Sequence, residues 1–186
     1  MSTWDLDPAH SQIEFAVKHM MVTTVRGQFR KFTAAVDFDE ASPERSTVEA
    51  HIDASSIDTG MEARDAHLRS ADFLDAATHP ELLFRSTHIE KSGDGYRIDG
   101  DLTIRGETRP VTLDAEIGGV VPNMQGGRRA GFSASTKISR KDWGLTWNGV
   151  LESGGVLVSD EIKISIDVAA VQAEAAAPKV AVSSAA

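Results

Sequence analysis

Six histidines and a spread of carboxylates are the side chains in these 186 residues best suited to chemistry. His10, His51, His67, His79 and His88 follow no spacing that a short metal motif uses. Cysteine is absent, which excludes a thiolate nucleophile, a cysteine metal site and a disulfide framework. Distant histidines and a carboxylate could still converge into a metal-assisted hydrolase, and that reading is carried forward as the third of three. Ser11, Ser55, Ser56 and Ser139 stand in no nucleophile elbow. Gly106, within IRGETRPV, sits in a hairpin connection rather than a strand-to-helix phosphate turn. No catalytic residue and no metal ligand are assigned, so the expectation is a protein that is not an enzyme and requires no cofactor.

His19 differs from the other five because it shares the parity of Ile13, Phe15 and Val17. Two readings stand. A neutral imidazole there contacts the head group of a quinone, alcohol or phosphate ligand, or it is an interior or rim histidine with a partner. Either one demands a hydrogen bond, because an unpaired buried imidazole is costly. Trp143 and Trp147, four residues apart around Gly144, read as a ligand lid, as packing at a barrel end or as an oligomer surface.

The elements that must position these residues are strands. Tyr96, Ile98, Gly100, Leu102 and Ile104 alternate with polar residues, and Val111, Leu113, Ala115 and Ile117 repeat the pattern after a polar break. A period of two separated by a Gly-containing turn is a hairpin signal. The same alternation predicts strands at 12–20, 25–38, 46–54, 81–90, 95–105, 110–118, 129–138 and 161–169. Trp4 and Leu6 fit a short strand or a plug across one mouth. Between Phe29 and Phe32 the apolar parity slips by one residue, which predicts a bulge near Arg30-Lys31. A short helix is expected over 61–70, and 173–186 reads as a flexible tail after a domain spanning 1–172.

Repeated strand-helix crossovers are missing, which argues against a parallel α/β sheet. The expected fold is all-β: an extended eight-stranded antiparallel lipocalin-like barrel with a short helical insertion, since closure removes the exposed edges. A sandwich is the rival. Small inward residues (Ala34, Ala50, Ala54, Gly100, Ala115, Ala134) accompany large Phe15, Phe32, Phe38 and Phe132. They either leave an apolar passage or interlock and fill it.

A net charge of -9 argues against nucleic-acid partners, which need a basic footprint. It also gives no overall pull toward an anionic membrane. No apolar run approaches the roughly 20 residues of a membrane span. The opening MSTWDLDPAH lacks the pattern of a secretory signal, so a cytoplasmic location is expected.

The pieces WDLDPAHSQIEFAVKHM, VRGQF, ATHPELLFRS, GDLTIRGETRPVTL and SRKDWGLTW, in that order, resemble the YceI-like family of polyisoprenoid-binding, lipocalin-like proteins. The resemblance spans roughly Thr3 to Val171. It implies a barrel holding a polyisoprenoid or isoprenoid quinone in its lumen, no catalytic activity and a possible homodimer. Many members are exported to the periplasm. Carried onto this chain, it makes Phe15, Val17, His19 and Phe29 candidates for the lumen wall, joined by Phe38, Phe132, Trp143 and Trp147. A polar head group would be met by His19, Arg140 or Asp142. The alternative is a packed structural or stress-associated barrel that binds another protein through its surface.

Overall fold

Eleven strand segments form one antiparallel sheet in the computed structural model, which describes residues 2–123, 126–150 and 154–172. The expected tail lies outside those residues. In chain order the segments are β1 (Ser2–Leu6), β2 (Gln12–His19), β3 (Thr23–Phe29), β4 (Phe32–Phe38), β5 (Thr47–Asp53) and β6 (Ile57–Asp58). After the helix α1 (Glu62–Arg69) come β7 (Glu81–Ser92), β8 (Gly95–Ile104), β9 (Glu107–Pro122), β10 (Arg128–Ser139) and β11 (Val158–Gln172).

β1 and β2 both run against β11, with Leu6 opposite Ala170 and Gln12 opposite Asp167. β3 and β4 pair with β2 and β1 in the same manner, and β6 and β5 with β3 and β4. The eleven segments therefore make eight staves, each bonded to the next in chain order, and the first returns to the last. This is the expected closed antiparallel barrel. Trp4 and Leu6 belong to its wall rather than to a plug.

Both interruptions in the first staves are patched by serine. Ser11 Oγ donates to Asp7 O at 2.7 Å and accepts from Ala169 N at 3.1 Å, replacing a ladder bond where the chain leaves β1. At the slip foreseen near Arg30-Lys31, Ser56 Oγ accepts from Lys31 N at 3.1 Å while Ser56 O takes Arg30 N. Each bend thus keeps its backbone groups satisfied. In β7 the contiguous Leu82, Leu83 and Phe84 resolve into buried Leu82 and Phe84, and a bulge between Ser86 and His88 passes the inward side to Ile89.

The two ends close differently. At one, α1 and the turns after it bring Phe73, Leu74 and Ala76 into the main core with Trp143 and Leu145. At the other, Trp4, Val36, Phe38, Ala130 and Ala170 form a second apolar cluster built from the strands themselves.

Candidate functional site

Inward-facing residues leave an apolar cavity of about 300 Å³ along the barrel. It runs from Leu6, Phe38 and Ile117 near the Trp4 end to Leu68, Phe73, Leu145 and Val158 at the helical end. The register explains where space survives. Ala34 stands opposite Ala50, and Ala115 opposite Ala134, so the wall is thinnest at two alanine rungs, all four residues facing the cavity. Elsewhere small and large interlock. A Cβ on Gly27 would lie 2.4 Å from the Phe15 ring, and one on Gly100 2.5 Å from the Phe84 ring. Both arrangements left open by the residue pattern therefore occur, even side by side, since Ala50 of one alanine rung stands opposite Phe84. Ala54 joins the core without facing the cavity.

Phe15, Val17, Phe29, Phe38 and Phe132 line the cavity. Phe15 and Phe29 tilt together at 5.9 Å, and Phe38 and Phe132 meet edge-on at 5.2 Å. His19 lies beyond the lining, half-buried at the end of β2 opposite Thr23 and Val158. Its side chain bonds to no other described residue, contrary to the expected partner. Partial exposure supplies the reason, since the ring is not fully withdrawn from water.

The tryptophan loop separates into structural parts. Trp143 is buried, and its indole N–H donates to Leu102 O at 3.0 Å. It sits where the β9–β10 ladder has ended at Asp114 and Ser135, so the ring covers a splay in the wall. Trp147 packs edge-on against His67 at 4.6 Å and tilts over Phe73 at 5.2 Å, pinning the helical segment over the barrel. Asp142 is exposed, and its backbone carbonyl accepts from Arg109 Nε. Neither Trp143, Trp147 nor Asp142 lines the cavity.

Arg140 does line it, yet the guanidinium is occupied. It donates to Leu145 O and Trp147 O, each at 2.7 Å, and to Ser159 O at 3.1 Å. Only 2% of the residue is exposed. Burial pushes its pKa below the usual arginine value, and Asp160 at 3.6 Å opposes that shift. Arg140 is a clamp joining the tryptophan loop to the bulged start of β11. That commitment was invisible in sequence, because the carbonyls it meets carry no side-chain signal.

Comparison with known proteins adds family membership to this geometry. The family model described as YceI-like domain matches residues 4–170. The chain belongs to the YceI-like family. Protein YceI of Escherichia coli is 41% identical over 141 residues, covering 76% of this chain and 74% of that protein. A protein of Serratia proteamaculans called UPF0312 is 42% identical over 142 residues, with 76% and 74% covered. The crystal structure of Burkholderia cenocepacia BcnA matches with a TM-score of 0.76 and 29% identity, over 89% of this chain and 99% of that one. A polyisoprenoid-binding domain from Saccharophagus degradans shares the fold at a TM-score of 0.63 and 15% identity, covering 93% and 100%.

The titratable groups of this YceI-like barrel mostly face outward. His51 bridges Glu49 at 2.7 Å and Glu81 at 2.9 Å, and Arg85 joins Glu49 at 2.8 Å. Hydrogen bonds that the His51 ring donates to Glu49 and then to Glu81 raise its pKa above 6.5. His10 lowers that of Asp7 below 3.8 through a hydrogen bond. Among the described residues no three histidines or carboxylates come together as metal ligands. Among the lining residues outside the candidate set, Tyr96 and Ile164 share the inward parity of strands already marked. Their signal was present, since alternation places a whole parity at the lumen, not only its aromatics.

Proposed function

We propose that this YceI-like protein is a non-enzymatic binder of a long apolar lipid, a polyisoprenoid or isoprenoid quinone, for carriage or storage. The observation carrying this reading is the apolar cavity along the barrel axis, whose one buried charged side chain, Arg140, is taken up by backbone carbonyls. About 300 Å³ is the small end of the range for ligand sites, which favours a slender chain over a fused ring system. Each methylene withdrawn from water contributes about 0.8 kcal/mol, so several isoprene units offset an ordering cost on the order of 10 kcal/mol. The likeness to a domain described as polyisoprenoid-binding agrees with this at the level of fold. A ligand would be admitted at the Trp4 end, where Ser46 and Tyr96 border the cavity. The lipid is cargo rather than a cofactor.

The filled-barrel alternative rests on the Phe15–Gly27 and Phe84–Gly100 interlocks. Native mass spectrometry of the purified protein, with lipid extraction and identification, separates the two. The carrier retains a prenyl lipid, and Phe15→Asp, at the cavity wall, loses about tenfold or more in retention while keeping its fold. A folded wild type that takes up no prenyl lipid, even when loaded from detergent, rejects the carrier. Sedimentation of the same samples tests the homodimer proposed from the family likeness.

A further inference from the structure

The turn between β2 and β3 breaks a local rule. Met20 and Met21 hold positive φ, 51° and 59°, and Val22 N donates to His19 O. Within this three-residue connection, where His19 pairs with Thr23, two successive positive-φ residues closed by an i to i+3 bond have the φ values of a type I′ turn, for which Asn-Gly is the favoured pair and methionine is strained. These residues are also exposed: Met21 by 65% and Val22 by 79%. Met20 N donates to Leu157 O, which ties the tip to the next loop, where Val150 and Val156 pair and are likewise exposed. Strain and exposure of large apolar side chains at one point mark a contact surface.

Charge identifies what it contacts. Lys18 points outward two residues below the tip, and Arg26 and Lys163 flank Ala16 on the same outer face. None of the three forms an ion pair among the described residues, whereas nearby Glu161 is neutralised by Lys137 and Asp160 by Lys141. Glu14 is the remaining acid on that face of β2. At roughly 3.3 Å per residue, Lys18 lies about 7 Å and Arg26 about 13 Å from the tip, within reach of head groups if the barrel leans on its β2–β3 side. The overall charge of -9 does not forbid this, because at physiological salt a charge is felt over only about 8 Å.

We propose that the Met20–Val22 tip and its Lys18, Arg26 and Lys163 flank dock the protein on an anionic phospholipid bilayer. The apolar side chains enter the interface and the cations meet lipid phosphates. Val17 and Val158, beside the tip, line the cavity at the closed helical end, so docking leaves the Trp4 end, where the lipid is admitted, away from the membrane surface. The contact does not rest on the lipid-binding reading, and an emptied barrel tests it.

Co-flotation with vesicles of phosphatidylcholine alone and of phosphatidylcholine with about a third phosphatidylglycerol decides the matter. Wild type should float with the anionic vesicles and release as salt rises. Met20→Asn with Met21→Gly gives the turn its preferred residues, so thermal stability should hold or rise while vesicle binding falls about tenfold. Reversal of Lys18, Arg26 and Lys163 to Glu should weaken binding at least about fivefold per charge for anionic vesicles only. Absence of wild-type flotation at low salt, or unchanged flotation of the turn variant, overturns the proposal. So does a wild-type dimer that the turn variant dissolves without vesicle binding, which would assign the tip to a second copy. Lipid retention by the turn variant, read by mass spectrometry, should stay at wild-type level, keeping this outcome separate from failure of the carrier reading.

Discussion

The barrel's two ends present the same problem, a mouth through which core would meet water, and solve it with opposite chemistry. At the helical end the closure is polar. Arg140 is saturated by carbonyls, Trp143 donates to Leu102, and buried Asp65 accepts from Thr59 N at 2.9 Å. At the other, Trp4 is 1% exposed against Ala130 and Ala170, each at 0%, and its indole N–H finds no acceptor among the described residues. Inserted loops lack a ladder of their own and must be stitched by side chains. Strands satisfy their own backbone and need only shape. The apolar end can loosen without stranding many polar groups, which is why access for a lipid is proposed there.

Arg140→Ala should have the largest effect. It strands several buried carbonyls at once, each worth on the order of 1–3 kcal/mol, so a loss of about 3–5 kcal/mol is expected in urea unfolding. Arg140→Lys should recover only part, since an ammonium cannot reproduce the planar fork. A loss under about 1 kcal/mol for the alanine variant would mean the loop is held by packing alone, erasing the contrast between the ends.

The tryptophans sharpen it further. Trp143→Phe removes the donor from Leu102 O and should destabilise by about 2–3 kcal/mol. Trp4→Phe removes an indole N–H that has no partner, so relief offsets lost volume and the cost should stay near 1 kcal/mol. Equal losses would show that both rings act through size only.

This contrast follows what could be read from residue order. Alternation along Tyr96–Ile104 and Val111–Ile117 specified paired strands, and the parity slip between Phe29 and Phe32 marked the break between β3 and β4. Both are local signals of period two. Phe15, Val17 and Phe29 followed, because inward parity is a property of a strand by itself. His19, Asp142 and Trp143 did not come to the cavity, for a physical reason: they lie at or beyond strand ends, where parity stops dictating direction. The Arg140 clamp depends on carbonyls of residues 145, 147 and 159, brought in by tertiary structure. The alanine rungs needed register, which alternation alone leaves free to slide by two.

Those rungs offer the next test, between the ends. Ala134→Leu adds bulk where the wall is thinnest, so it should lower lipid retention several-fold while changing stability by less than about 1.5 kcal/mol. Unchanged retention would place the ligand at one end rather than along the axis.

The smallest effect concerns pH. His51 ties β5 to the start of β7, on the helical side of the wall, through Glu49 and Glu81. Its folded pKa is raised above 6.5, so the folded protein binds the proton more tightly than the unfolded chain. That contribution is fully present below the unfolded value and is lost as pH rises through the folded one. The side chain is 38% exposed, so screening holds the effect to about 0.5 kcal/mol or less. Stability should therefore decline slightly from pH 6 toward pH 8, and His51→Gln should flatten the slope by abolishing the titration. The other groups with displaced pKa values are carboxylates held below their usual range and arginines, so none of them titrates in that window. A slope that survives His51→Gln would shift the sensitivity to another histidine and detach it from the polar side of the barrel.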